Sequence, residues 1–148
     1  MKLLALLALL AIHAATSAHP QVQPLRESDI DYGCGCSFQA PLSLGPDAPV
    51  VIQWELDGPA NIRLDGRLHK LKVSSLSAVR RKDGRERVGD REVFELKGDS
   101  VFVRAECTVA EVCKPGDESC EVTIYKARIT IRTPTGTSVL DARASCGC

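Results

Sequence analysis

From Val50 onward, short apolar runs alternate with turn residues. Val50 to Leu56 is an apolar, β-branched run. Asn61 to Leu64 and Arg67 to Ser74 flank Asp65-Gly66, a strong hairpin signal because both residue types tolerate the positive φ of a tight turn. A second Asp-Gly, Asp83-Gly84, sits inside the charged stretch Arg80 to Arg87 and predicts another hairpin tip. Glu92 to Lys97 and Ser100 to Val109 read as strands joined through Gly98-Asp99. Glu121 to Arg132 reads as a long strand. Its apolar phase shifts from Val122 and Ile124 to Tyr125, Ala127, Ile129 and Ile131, which predicts a bulge within it. Pro134-Thr135-Gly136 turns the chain into a last strand, Thr137 to Ser145. Beyond the first 18 residues, no window of helical length has a 3.6-residue period. The pattern predicts an all-β single domain over residues 34–148, an antiparallel barrel or sandwich.

The first 33 residues differ in character. Residues 1–18 read as a signal peptide: Lys2, an unbroken Leu/Ala/Ile run from Leu3 to Ile12, then small residues from Ala14 to Ala18. The apolar run is shorter than the roughly 18 residues of a membrane-spanning helix. No Cys stands at the cleavage position, so a lipoprotein is not expected. The signal resembles a bacterial one, which implies periplasm or secretion. His19 to Gly33 is polar, carries two prolines and reads as a flexible segment.

Charge narrows the function classes. Lys+Arg and Asp+Glu number 19 each, for a formal net charge of zero in 148 residues. A nucleic-acid binder would show a basic excess, so none is expected. Aromatic residues make up only 4%, so Val, Leu, Ile and Ala must supply most of the core.

Seven cysteines remain after signal removal: Cys34, Cys36, Cys107, Cys113, Cys120, Cys146 and Cys148. One Cys-Gly-Cys opens the folded region and another closes it. Residues two apart on a strand share a face, and Cys146 and Cys148 are in phase with Leu140, Ala142 and Ala144. If the first and last strands pair antiparallel, Cys34 lies opposite Cys148 and Cys36 opposite Cys146, within disulfide reach. Cys113 and Cys120 bracket a loop-like segment that a third bridge would staple. Cys107, in phase with Val101, Val103 and Ala105, is then the odd thiol. Export favours disulfides. The alternative is a metal site in which Cys34, Cys36, Cys146 and Cys148 supply four thiolates to Zn²⁺ or Cu(I). Thiol exchange is disfavoured, because neither Cys-x-x-Cys nor a βαβ pattern occurs.

Other chemistry is sparse. His19, the mature N-terminus on this cleavage, and His69 are the remaining histidines; together they would make at most a copper site. His69 sits in an alternating strand beside Lys70, with no motif to orient it as a base, so no enzyme is expected. Arg80, Arg81, Lys82, Arg85 and Arg87 form the densest basic cluster, suited to an anionic polymer or an acidic cleft; Asp83 and Glu86 dilute it, as in an ordinary solvated hairpin tip.

One run of motifs resembles the membrane-bound and periplasmic inhibitors of C-type lysozyme. It comprises Cys34/Cys36, then Leu71 to Ala78, then Phe94-Glu95-Leu96-Lys97-Gly98-Asp99, then Cys107. The resemblance covers residues 34–107. It implies a small exported β-barrel in which a loop Ser and the Lys before Gly enter the lysozyme cleft. The matching positions are Ser77 and Lys97. Ala78 stands where the family has Gly, Arg81 where it has Tyr, and Val109 to Cys148 has no counterpart. The sequence therefore predicts an exported, non-enzymatic domain without cofactor that binds another protein in the envelope or outside. Its expected contact residues are Ser77, Lys97, Arg80, Arg81, Arg85 and Arg87. A purely structural accessory domain is the remaining alternative.

Overall fold

The computed structural model describes residues 19–78, 85–117 and 119–148. The signal-peptide reading, 1–18, lies outside the described residues. Nine strands form among the described residues: β1 (Val22–Gln23), β2 (Gly35–Gln39), β3 (Val50–Glu55), β4 (Ala60–Leu64), β5 (Arg67–Ala78), β6 (Arg91–Lys97), β7 (Phe102–Glu111), β8 (Val122–Thr133) and β9 (Gly136–Gly147). Strands β2 to β9 pair antiparallel in a ring, β4-β3-β2-β9-β8-β7-β6-β5, which the β4–β5 ladder closes. The protein is an eight-stranded antiparallel barrel with β1 added to β4.

Alternation along the strands fills the interior. Phe38, Ile52, Ile62, Leu96, Val103, Ile129, Ile131, Ala142 and Ala144 are fully enclosed. Three of the scarce aromatics form one cluster there: the Phe38 and Trp54 rings stack at 5.2 Å, and Phe94 meets Trp54 edge-on at 5.2 Å. The small side chains Ala127, Ala142 and Ala144 leave room for these rings in a narrow barrel.

The bulge predicted within the strand after Glu121 lies elsewhere. The β8–β9 register is unbroken from Val122↔Gly147 to Thr133↔Gly136. The irregularity is in the neighbouring strand, where β7 shifts between Val109 and Glu111 against Tyr125 and Ile124 of β8. The apolar phase change in β8 has a simpler cause, because Val122 is an outward-facing, exposed residue near the strand end.

Residues 19–33, read from the sequence as a flexible segment, carry β1 and are placed on the barrel. They lie against the outer face of β3 and β4, held by a buried polar network. Gln53 clasps the Asp31 backbone, accepting from its N–H at 3.2 Å and donating to its carbonyl at 2.7 Å. Asn61 Nδ2 donates to the Asp29 carbonyl at 2.7 Å. The Asp29 carboxylate accepts from Arg63 Nη2 at 2.7 Å and Nε at 3.1 Å, and from the Arg26 N–H at 2.9 Å. Sequence patterning misses this because polar residues do the docking: Gln53 and Asn61 are 3% exposed.

The Arg26 N–H, and then the Arg63 guanidinium, hold the Asp29 carboxyl below its ordinary 3.8. A carboxyl with a lowered folded pKa stabilises above its unfolded pKa, and that contribution disappears as pH falls through the folded value. Arg63→Ala at neutral pH, or acidification of the wild type below pH 3.8, is therefore expected to release residues 19–33. Hydrogen exchange at the Asp31 amide is the readout, with the barrel amides staying protected. An Asp31 amide that stays equally slow in Arg63→Ala would show that the ion pair is not the latch.

Candidate functional site

The two Cys-Gly-Cys motifs meet as the pattern suggests. Ladder β2–β9 places Gly35 opposite Gly147 and Cys36 opposite Cys146. Disulfides join Cys34 to Cys148 and Cys36 to Cys146, with Cα atoms 4.1 Å apart in each. A third joins Cys113 to Cys120 across the β7–β8 connection. The four sulfurs required by the metal reading are bonded in pairs and supply no thiolate donors. Among the described residues, no group of three or more His, Cys, Asp or Glu is placed to hold a metal ion. The His19 ring lies on the Thr137 carbonyl at 2.9 Å, and His69 sits in β5 opposite Ile62.

At this disulfide-bearing end, residues 85–90, the described part of the β5–β6 connection, lie against β7 and β8. Glu86 is its anchor. One carboxylate oxygen accepts from Thr123 Oγ1 at 2.5 Å, and the other from the Tyr125 hydroxyl at 2.7 Å. The turn is fixed further by the Gly89 N–H donating to the Val109 carbonyl, and by the Val109 N–H donating to the Asp90 carbonyl. Sequence reading treated Glu86 only as a dilution of the basic cluster. Arg85, Glu86, Arg87 and Lys114 together line a cleft of about 680 Å³ beside the stapled Cys113–Cys120 loop, with the exposed Glu86 carboxylate engaged by Thr123 and Tyr125. All three cationic residues are exposed. The geometry suits recognition of an acidic surface.

Of the predicted contact residues, Arg85 and Arg87 lie at this cleft, whereas Arg80 and Arg81 lie outside the described residues. Ser77 is near the same end, opposite Val93 in the β5–β6 ladder. Lys97 is not with them. It pairs with Lys72 at the other end of that ladder, four β6 residues from Val93, or about 13 Å along the strand. Its ammonium is engaged by Glu95 at 2.9 Å and faces the Phe102 ring. Motif order alone carries no information on which end of a strand a residue occupies.

Among protein-family models, curated proteins and solved structures, none matches this chain.

Inside the barrel lies Cys107, a free thiol 2% exposed. Burial, and secondarily the Glu92 carboxylate, push its pKa from an ordinary 9.0 up to about 12. Tyr125 is raised in the same direction by burial and then by its bond to Glu86. Cys107 is therefore a poor nucleophile, and alkylation is expected only on unfolding. The folded state holds the thiol proton more tightly than the unfolded state does. Its stability contribution is thus complete below pH 9 and is lost as pH rises toward about 12. Between those limits stability should fall by about 1.4 kcal/mol per pH unit for this group. The urea midpoint at pH 8 and pH 10.5, compared between wild type and Cys107→Ala, checks this; parallel declines in the two proteins would exclude the thiol as a cause.

Proposed function

We propose that this is an exported, non-enzymatic domain that binds an acidic surface of another macromolecule through the cleft formed by Arg85, Arg87 and Lys114. The observation that carries the reading is the local charge arrangement. Three exposed cationic residues border one opening, while its acid, Glu86, is turned onto Thr123 and Tyr125. Two covalently or hydrogen-bonded loops hold these cations on a rigid barrel, which lowers the entropy lost on binding. Three disulfides are compatible with an extracellular or periplasmic setting. No helix among the described residues is long and apolar enough to cross a membrane.

The concrete version is inhibition of a secreted hydrolase such as C-type lysozyme, whose catalytic carboxylates lie in a cleft. The motif order from Cys34 to Cys107 supports it, together with the nearness of Ser77 to the end that carries Arg85 and Arg87; Lys97, the other position the resemblance implies, lies at the opposite end of the β5–β6 ladder and is no part of this contact. Lysis of a peptidoglycan suspension by C-type lysozyme, with this protein in molar excess, is expected to slow. Reversing both charges with Arg85→Glu and Arg87→Glu should weaken inhibition by roughly tenfold or more, and added salt should weaken it too. Undiminished lysis at high excess would remove lysozyme as the target. Inhibition indifferent to the charge reversal would remove the cleft.

A further inference from the structure

A second surface lies at the other end of the barrel and is independent of the basic cleft. Strand β2 covers only part of β9: their ladder runs from Gly35↔Gly147 to Gln39↔Arg143 and stops. Continued in register, it would set Pro41 opposite Asp141, and Pro41 has no N–H to donate. The chain leaves the barrel there and returns at Pro49, so the remainder of β9 is paired with β8 alone. Across the gap stands β1, which pairs only with β4. Between them is a slot of about 750 Å³, walled by Val22, Pro24 and Pro49 on one side and by Val139 and Leu140 on the other, with Pro41 at its head and the Ser138 hydroxyl, donating to the Pro20 carbonyl at 2.5 Å, across its foot.

The backbone groups facing this slot follow from alternation. The His19 ring reaches the Thr137 carbonyl from outside the β8–β9 ladder, so Thr137 presents its backbone away from β8. Val139 and Asp141, two and four residues on, do the same. Gln21 bonds to Asp65 beyond the end of β4, so Val22, one residue on, turns its N–H and C=O away from β4 into the slot. None of these groups on Val22, Val139 or Asp141 has a ladder or loop partner among the described residues. Both β1 and β9 run opposite to β2, because β1 is antiparallel to β4, β4 and β9 alternate around the ring, and β9 is antiparallel to β2.

We propose that this slot takes an extended polypeptide segment of a partner protein, which adds as a strand in line with β2 and antiparallel to both β9 and β1. Unpaired N–H and C=O groups on both walls, from Val22 on one and Val139 and Asp141 on the other, match the two edges of one strand. The apolar walls call for an uncharged segment with apolar residues at alternate positions. The one acid at the slot, Asp141, is paired with Arg128 at 3.3 Å. A second copy of this chain is disfavoured as occupant, since the edges of β1 and β9 that it could offer are the walls of the slot itself.

The probe is a capped peptide of six alternating threonine and valine residues with lysine at each end, added at millimolar concentration to the ¹⁵N-labelled, disulfide-intact protein. Amide exchange at Val22, Val139 and Asp141 is expected to slow roughly tenfold or more, with the remaining barrel amides unchanged. The same peptide N-methylated at every second residue should have no effect. Val139→Pro should abolish the protection without lowering the thermal midpoint, because the N–H it removes makes no ladder bond. If that variant does not fold, the N-methylated peptide decides. Three results overturn the proposal: unchanged exchange at these amides, protection already complete without peptide, or protection that follows protein concentration instead of peptide.

Discussion

Replacing Cys34, Cys36, Cys146 and Cys148 together by Ala is expected to cost the barrel roughly 5 kcal/mol or more. The two bridges span 114 and 110 residues, so either one alone closes nearly the whole folded chain into a loop. On chain entropy, the first such bridge contributes about 4.7 kcal/mol. The second then closes only a ring of a few residues and contributes at most about 2 kcal/mol. The expected pattern is therefore unequal. The Cys34→Ala/Cys148→Ala pair should lower stability modestly, and so should the Cys36→Ala/Cys146→Ala pair. Losing both should cost more than the sum, because only then is the long loop opened. Against a typical domain stability of about 5–15 kcal/mol, the quadruple variant should be marginal or unfolded at 37 °C. Urea midpoints of the three variants measure this; strict additivity would show that the bridges do not share one loop.

The glycine inside each motif should be nearly as intolerant as the cysteines. A Cβ on Gly35 would overlap the Trp54 carbonyl oxygen and crowd the Glu55 Cα on β3. One on Gly147 would overlap the Glu121 carbonyl, and Gly147 also has φ +147°. These obstacles are backbone atoms of neighbouring strands, which cannot swing aside as a side chain end would. Gly35→Ala and Gly147→Ala are each expected to cost about 2–4 kcal/mol. Gly66→Ala supplies the comparison. Gly66 has φ +85° but open space around its missing Cβ, so only backbone strain of about 1 kcal/mol is expected. Equal costs at Gly66 and Gly35 would mean that the close strand approach is not what requires glycine.

The fold was legible wherever alternation and turn chemistry agreed. Asp65-Gly66 joins β4 to β5, Pro134-Thr135 joins β8 to β9, and Cys107 faces inward with Val103 and Ala105. The Cys-Gly-Cys symmetry anticipated which strands meet, because side chains two apart share a face and opposed pairs lie within bonding distance. Barrel versus sandwich was not legible, since closure depends on the β4–β5 ladder and the stagger of all eight strands. The docking of residues 19–33 was hidden because Asp29, Gln53 and Asn61 bury polar atoms that a hydropathy pattern counts as exposed. At the candidate site, the basic cluster was visible and its orientation was not. Glu86 is engaged by Tyr125 and Thr123, which are 39 and 37 residues away. That Pro41 stands at the end of a ladder follows only from the β2–β9 register.

The clamp between the first and last barrel strands also decides how the molecule carries mechanical load. A pull on the chain before Cys34, opposed at Cys148, passes straight through the Cys34–Cys148 bond. Should that bond be cut, Cys36–Cys146 takes the tension two residues further in. Between Cys34 and Cys148 no force reaches the hydrogen-bonded ladders of the barrel; upstream of Cys34 the same pull is borne by the β1–β4 pair and the Gln53–Asp31 clasp. Tethered at Cys34 and Cys148, the oxidised barrel should behave as a nearly inextensible link, and it should yield as a spring only in a reducing medium.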